Sequence, residues 1–346
     1  MDKTIRNMAC MLAVLVAGAC TKDIPYKGSG SNPVLVINCM AKVGEPVDVY
    51  VGRSRFFLDT WSGSNKLDDA TVTVSINSVS QTPVYDYDRE CYMDSRIPAP
   101  GDTITVTATH SDFGTATATE IVPVPSVIDK ERESVKSFPK TENWAWVKAD
   151  SVWSLSVSIG PKQKGRHFYK LSLYPEYYLF SKADNSLISI MNCMYKETQS
   201  TKMALGLISQ ESILDIDGED VFHYGVPTYT FSDEKLPDNG VLTFELALQR
   251  PIDDVFYGSV YDGINEIEYD WNSDVSHTVE YRCLFVLETI SEEAYKYSVS
   301  AQQYYETGWS IFTDPVLVTS NIKGGLGILG TSSHSETLFT TYYTFE

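Results

Sequence analysis

The sequence predicts a mostly β protein in two parts, a smaller β-sandwich followed by a larger β-sandwich or open barrel with one helix. Three observations predict it. The 346 residues include 22 Tyr and many Thr and Val, side chains that suit a pleated, half-buried surface. Long stretches rich in Ala, Leu, Lys and Glu are scarce. Short alternating or β-branched runs recur between Gly, Asn, Asp and Ser, as strands joined by turns do.

The elements follow in chain order. Lys3 and Arg6 precede an apolar run, Met8–Val16, and then Ala17-Gly18-Ala19-Cys20. That run falls short of the about 20 residues needed to cross a bilayer core of roughly 30 Å, so residues 1–19 read as a signal peptide. Small residues directly before a cysteine look like a bacterial lipobox, in which Cys20 is lipidated and becomes the mature N-terminus. Ala17 stands where Leu is usual. The other reading is an ordinary signal peptide cleaved after Ala19, with Cys20 left as a thiol. Buried acyl chains contribute about 0.8 kcal/mol per methylene, so the lipid bilayer is the first expected partner. Residues 20–33, through Lys27-Gly28-Ser29-Gly30-Ser31-Asn32, form a flexible tether.

The first sandwich is expected over 34–125. Its clearest strands are Val34–Met40, Val47–Val51, Ala70–Ile76, Thr103–Thr109 and Gly114–Val122, with a turn at Pro98-Ala99-Pro100-Gly101-Asp102. Together they suggest roughly seven short strands, immunoglobulin-like in size. Val122-Pro123-Val124-Pro125-Ser126 is the natural seam, because proline cannot donate to a ladder. The second domain, 126–346, shows strand signals at His167–Leu173, Leu187–Met194, Val221–Phe231, Gly240–Leu248, Thr278–Thr289 and Pro315–Thr319. One helix is expected from an N-cap at Ser291, with Glu292 and Glu293 at its positive end, as far as about Glu306. Gly308 would end it.

Composition narrows the function classes. Acidic residues outnumber basic ones 46 to 27, a formal charge of −19, which excludes the basic face that nucleic-acid binding requires. With Cys10 removed in the signal and Cys20 lipidated, Cys39, Cys91, Cys193 and Cys283 remain. They permit two bridges by any of three pairings in an oxidising compartment, or buried thiols within apolar runs. No cysteine or histidine spacing matches a metal site.

Several blocks together resemble the Bacteroidota outer-membrane lipoproteins grouped as domain of unknown function 4249. They are Val34-Leu35-Val36-Ile37-Asn38, Ala70-Thr71-Val72-Thr73-Val74, Pro100-Gly101-Asp102 and Ala116-Thr117-Ala118. Phe168-Tyr169-Lys170-Leu171, Phe231-Ser232-Asp233, Ile290-Ser291-Glu292-Glu293-Ala294-Tyr295 and Asp314-Pro315-Val316 continue the pattern. The most specific block is Ser320-Asn321-Ile322-Lys323-Gly324-Gly325-Leu326-Gly327-Ile328. Two residues depart from the family pattern: Cys39 stands where Gly is usual, and Leu329 where Phe is usual. Thr21-Lys22-Asp23 resembles the Lys-Asp export signal that sends such lipoproteins to the cell surface. The resemblance implies a surface or outer-membrane lipoprotein, often encoded beside a TonB-dependent receptor, with no catalytic residue to carry over.

Chemical motifs are few. Gly325-x-Gly327-x-x-Gly330 matches a dinucleotide fingerprint, but Thr331-Ser332-Ser333-His334-Ser335 follows where a helix is needed, so the glycines are read as a tight turn or bulge. Asp270-Trp271-Asn272-Ser273-Asp274 opens like a calcium loop, but Val275 and Tyr281 replace the required Gly and Glu. Around it lie Asp253, Asp254, Asp262, Glu266 and Glu268 without a Lys or Arg, interleaved with Tyr257, Tyr261, Tyr269 and Trp271. Asp262, Glu266, Glu268, Asp270 and Trp271 are therefore the candidate ligand-binding residues, for a cation, an organic amine or a sugar; the plain alternative is a solvated acidic loop. Asp215–Asp220 is read as a turn. Trp144, Trp146, Tyr174, Tyr177 and Tyr178 are either a ligand platform or edge and core packing. The five histidines are scattered and read as structural.

No cofactor and no catalytic or metal-binding residue is expected, and the chain is not read as an enzyme. The expected function is a binding or accessory subunit of a TonB-dependent nutrient-uptake system, lipid-anchored on the outer membrane and facing the cell exterior. A structural or adhesive surface protein is the alternative.

Overall fold

The computed structural model describes residues 32–55, 63–137, 149–160, 165–181, 184–206, 226–249, 260–262, 265–267, 277–307 and 317–343. Val34–Ser54 and Ser62–Glu346 form one compact unit, and the other unit, Met1–Pro33 and Arg55–Trp61, lies almost wholly outside the described residues.

Eight strands precede the proline seam: β1 (Leu35–Lys42), β2 (Val47–Arg53), β3 (Thr71–Ile76), β4 (Val79–Gln81), β5 (Val84–Asp86), β6 (Cys91–Asp94), β7 (Thr103–His110) and β8 (Gly114–Ile121). Strict alternation drives them together. Leu35, Ile37, Cys39 and Ala41 of β1 point inward, as do Ile104, Val106 and Ala108 of β7, all at 1% exposure or less. Two sheets face each other over this core, β1-β2-β6-β5 and β4-β3-β7-β8. The outward positions of the second sheet are threonines, and three cross-strand pairs bond through their hydroxyls: Thr105–Thr119, Thr107–Thr117 and Thr109–Thr115, at 2.9, 2.8 and 3.1 Å.

Beyond the seam come β9 (Val127–Ser137), β10 (Ala149–Gly160), β11 (Phe168–Ser181), β12 (Leu187–Asn192), β13 (Tyr195–Glu197), β14 (Thr228–Ser232), β15 (Val241–Gln249), β16 (Val260–Asp262), β17 (Asn265–Ile267), β18 (His277–Ile290) and β19 (Leu326–Tyr343). The sheet β13-β15-β10-β9 packs on β11, β18 and β19. Trp153, Leu155 and Phe244 from one side meet Tyr281, Phe285 and Phe339 from the other. Phe285 sits 5.4 Å from Phe244 and 5.6 Å from Phe339, ring centre to ring centre. None of the sheets closes into a barrel, so the larger part is the sandwich of the two expected architectures.

One strand joins both halves. The start of β19, Leu326–Ser332, runs parallel to β1 from Val36 to Lys42, and its remainder, Ser332–Tyr343, runs antiparallel to β18. A single nine-stranded sheet results, in the order β12-β11-β18-β19-β1-β2-β6-β5 with β14 on β11. Hydrogen bonding therefore crosses the seam at 125/126, although the two apolar cores lie on either side of it. Ile322 and Leu329 pack into the first core from the far end of the chain.

The helix Glu292–Thr307 begins where expected. Ser291 Oγ accepts from Ala294 N at 3.3 Å and from Thr331 N at 3.2 Å, so one hydroxyl caps the helix and holds β19. Phe168 stacks on Tyr295 at 4.6 Å, which seats the helix on the outer face of the long sheet beside Ile290 and Ala294.

Some expectations need correction. Leu317–Ser320 is not a strand, so the one expected at Pro315–Thr319 is absent over its described residues. The expected Val221–Phe231 strand starts at Thr228 within the described residues, Val226 and Pro227 being irregular. β9, β10 and β19 went unread as strands: β9 is masked by its charges, and β19 by its glycines. β9 is a sheet-edge strand carrying Asp129, Lys130, Glu131, Arg132, Glu133 and Lys136, a charge pattern that discourages further pairing.

Candidate functional site

The acidic and aromatic segment is placed in part. Asp262 pairs with Asn265, and Glu266 pairs with Tyr261, in the two-stranded hairpin β16–β17. Glu268, Asp270 and Trp271, with Asp253, Asp254, Tyr257, Tyr269 and Asp274, lie outside the described residues, as do Cys20, Trp144, Trp146 and Asp215–Asp220. No group of three or more His, Cys, Asp or Glu among the described residues is arranged to hold a metal.

The aromatic candidates separate by strand parity. Tyr177 is buried in the second core, while Tyr174 and Tyr178 stand on the opposite, outward face of β11. That face continues across the sheet. Tyr174 lies opposite Leu284, and Leu284 opposite Leu338; Glu176 lies opposite Arg282, and Arg282 opposite Thr340. In the next row Ile190, Tyr178, Glu280 and Tyr342 are neighbours across four strands. Solvated faces of antiparallel sheets are ordinarily polar, whereas here Ile190 is 50%, Leu338 46% and Tyr342 67% exposed.

An ordered polar centre sits among these side chains. Arg282 donates from Nε and Nη2 to the two carboxylate oxygens of Glu280, at 2.8 and 3.0 Å, and lies 4.1 Å over the Tyr178 ring. Tyr178 in turn donates to Glu176 at 2.7 Å, and that bond together with burial pushes its phenol above the usual range. Stacking and a bidentate pair fix a guanidinium that would otherwise sample many rotamers. The arrangement presents a rigid Arg–Tyr pair ringed by exposed apolar side chains. It offers contact and hydrogen bonds, and among the described residues no nucleophile–base pair is assembled on it.

Two histidines, His110 and His167, make packing and hydrogen-bond contacts within the fold. His110 is buried against Phe113, accepts from Asp112 N at 3.0 Å and meets Asp69 at 3.2 Å. His167 meets Asp233 at 3.2 Å. Sequence reasoning missed two buried polar contacts. Asp94, with its side chain fully covered, receives the Arg96 guanidinium, which also donates to the carbonyls of Val79 and Val74 at 2.7 and 2.8 Å. Burial pushes the Asp94 carboxyl up, but the Arg96 hydrogen bonds outweigh it and hold the group below the usual carboxylate range. Between the sheets of the second sandwich, Tyr229 donates to buried Glu197. A lone acid or arginine in a strand gives no sequence signal of such partners.

The four described cysteines, Cys39, Cys91, Cys193 and Cys283, are free and buried. Cys283 lies opposite Pro175, and the Cys193 N–H bonds to the Pro175 carbonyl, so the two cysteines flank an intervening strand. Strands about 4.8 Å apart put them beyond the roughly 7 Å limit for a bridge.

The glycine-rich block is a packing joint. A Cβ on Gly325 would lie 2.5 Å from the Leu35 carbonyl oxygen, and one on Gly327, at φ +105°, only 2.1 Å from that of Ile37. Asn321 closes the joint: its Oδ1 accepts from Leu329 N at 2.9 Å and its Nδ2 donates to Leu329 O at 2.8 Å, imitating a ladder partner. Of the turn or bulge expected, the turn is present at Gly324–Gly325 just before β19, while Gly327 and Gly330 lie in a strand whose register with β1 is unbroken. Asp102 has a comparable role, accepting from Asn77 Nδ2 at 2.6 Å and from Ala99 N at 2.8 Å to fix the Pro-Gly-Asp turn. Cys39 and Leu329 turn out to be register partners in the same core.

No curated protein matches the chain. A family model described as "Domain of unknown function (DUF4249)" matches residues 21–337, a span that includes the first sandwich, the second up to the last residues of β19, the helix and the Asn321–Gly330 joint. The chain belongs to the DUF4249 family.

Proposed function

We propose that this protein is an outer-membrane lipoprotein, held by acyl chains on Cys20 and facing the cell exterior. In this reading it is a binding or accessory subunit of a TonB-dependent nutrient-uptake system. The observation that carries the reading is the leader: basic Lys3 and Arg6, the apolar Met8–Val16, small residues before Cys20, then a Gly/Ser tether. Such a leader supplies an address and an anchor. The acidic, β-rich body with an exposed Tyr/Leu/Arg face supports a role in contact. No residue is assigned a chemical step, and the nutrient is not named.

Two measurements test it. Labelled palmitate should enter the wild-type chain and not Cys20→Ala; equal labelling would remove the anchor. Gentle detergent extraction of native outer membranes, with capture through a C-terminal tag, should bring down a stoichiometric TonB-dependent receptor. Capture of the lipoprotein alone would overturn the accessory role and favour the structural or adhesive reading.

A further inference from the structure

We infer that the outward face of β11, β18 and β19 is the surface by which this chain docks on a protein partner with an apolar centre and a basic rim. The inference rests on the accessory-subunit reading and gives it a place on the molecule.

The face combines three features that occur together where proteins bind proteins. Its middle is the fixed Arg282–Tyr178 stack, and tyrosine and arginine dominate the energetic centres of interfaces. Around it stand Tyr174, Leu284, Leu338, Tyr342 and Ile190, side chains that exclude water when covered. Rotamer freedom is already reduced, because Arg282 is held by Glu280 and Tyr178 by Glu176, so little ordering entropy remains to be lost on binding. The helix Glu292–Thr307 covers the same sheet face beside Phe168, Ile290 and Gly330, several residues from this ring.

Charge selects the occupant. On the same face β18 adds Glu288, which Lys42 of β1 meets at 3.9 Å, and β19 adds Glu336, opposite Val286, so Glu176, Glu280, Glu288 and Glu336 exceed Lys42, Lys170 and Arg282 by one. A second copy docking face to face would set carboxylates against carboxylates, in a chain of formal charge −19. Like-charge juxtaposition opposes that pairing. A basic rim meets Glu176 and Glu336, since Glu280 is held by Arg282 and Glu288 by Lys42. The aliphatic share, Ile190, Leu284, Val286 and Leu338, suits a protein surface better than a sugar, which stacks on aromatic rings.

The test uses the full lipidated chain. A photo-crosslinking amino acid at Tyr342 should link to the captured receptor, and one at Tyr87, which is 73% exposed on the other sandwich, should not. Leu338→Arg and Tyr342→Arg should each lower receptor capture about tenfold or more, while Val84→Arg, at a site 80% exposed, leaves capture unchanged. Thermal unfolding of each variant checks that the fold persists. Wild-type capture without effect of either arginine variant overturns this face alone. Absence of any receptor in the wild-type capture overturns the accessory reading and this inference with it. A crosslink from Tyr342 to a second copy, or polysaccharide retained without protein and released by Tyr342→Arg, would also overturn the partner proposed.

Discussion

Replacing Arg96 with alanine should unlock the first sandwich from the inside. Asp94 has a fully covered side chain and bonds to Arg96 through both oxygens, Nε reaching them at 3.0 and 3.1 Å. The same guanidinium bonds the Val74 and Val79 carbonyls, so it ties β6 of one sheet to β3 and β4 of the other. Removing one partner of a buried pair leaves an uncompensated charge and costs about 3–5 kcal/mol. The Val79 end is exposed and recovers a water, which puts Arg96→Ala near the lower end. The sign with pH follows from the depressed Asp94 carboxyl. A lowered folded-state value contributes stability that is present above the unfolded value of about 3.9 and is lost as pH falls through the folded value. In Arg96→Ala the carboxyl protonates readily instead, so the gap between variant and wild type should narrow as pH drops below about 4. Urea unfolding at pH 7 and pH 3.5, with hydrogen exchange of the β3 and β6 amides, measures both. A loss under about 1 kcal/mol, unchanged with pH, would refute the reasoning.

Four further outcomes are expected. Leu329→Phe alone should overpack the first core by about 1–3 kcal/mol, because Cys39 occupies the space opposite. Cys39→Gly with Leu329→Phe should couple favourably in a double-mutant cycle, and strict additivity would count against the pairing. Gly327→Ala should cost at least about 3 kcal/mol in thermal or urea unfolding, since φ is +105° and the new Cβ meets the Ile37 carbonyl; a neutral effect would contradict the joint. Ser291→Ala, which removes both the cap and the bond to Thr331 N, should lose about 1–2 kcal/mol, read from melting and from exchange at Thr331. Finally, all four cysteines should resist alkylation at pH 8 until the chain is denatured. Burial, with Asp48 and Cys91 nearby, pushes the Cys39 thiol up to about 12, and the thiolate is the reactive form. Rapid native labelling, or a mass two protons low, would contradict free buried thiols.

The β class, the helix start at Ser291 and the turn at Asp102 were legible in the sequence because each is set by neighbours along the chain. Alternation over Leu35–Ala41 or Ile104–Ala108 fixes which side chains face inward whatever the partner strand. A cap needs only its own first turn. What the chain did not disclose depends on residues brought together from far apart. The start of β19 looks like a turn because Gly324 and Gly325 precede it and Gly327 and Gly330 break its pattern. They are glycines because the β1 and β8 carbonyls, Met40 and Ala294 crowd them, and that crowding exists only once residues about 290 apart in sequence are paired in parallel. The Asp94–Arg96 tie to Val74 and Val79, and the Tyr178–Arg282–Glu280 centre, are likewise products of register. A two-residue period says that Tyr174 and Tyr178 share a face. Only the pairing of β11 with β18, and of β18 with β19, sets Leu284, Leu338 and Tyr342 beside them.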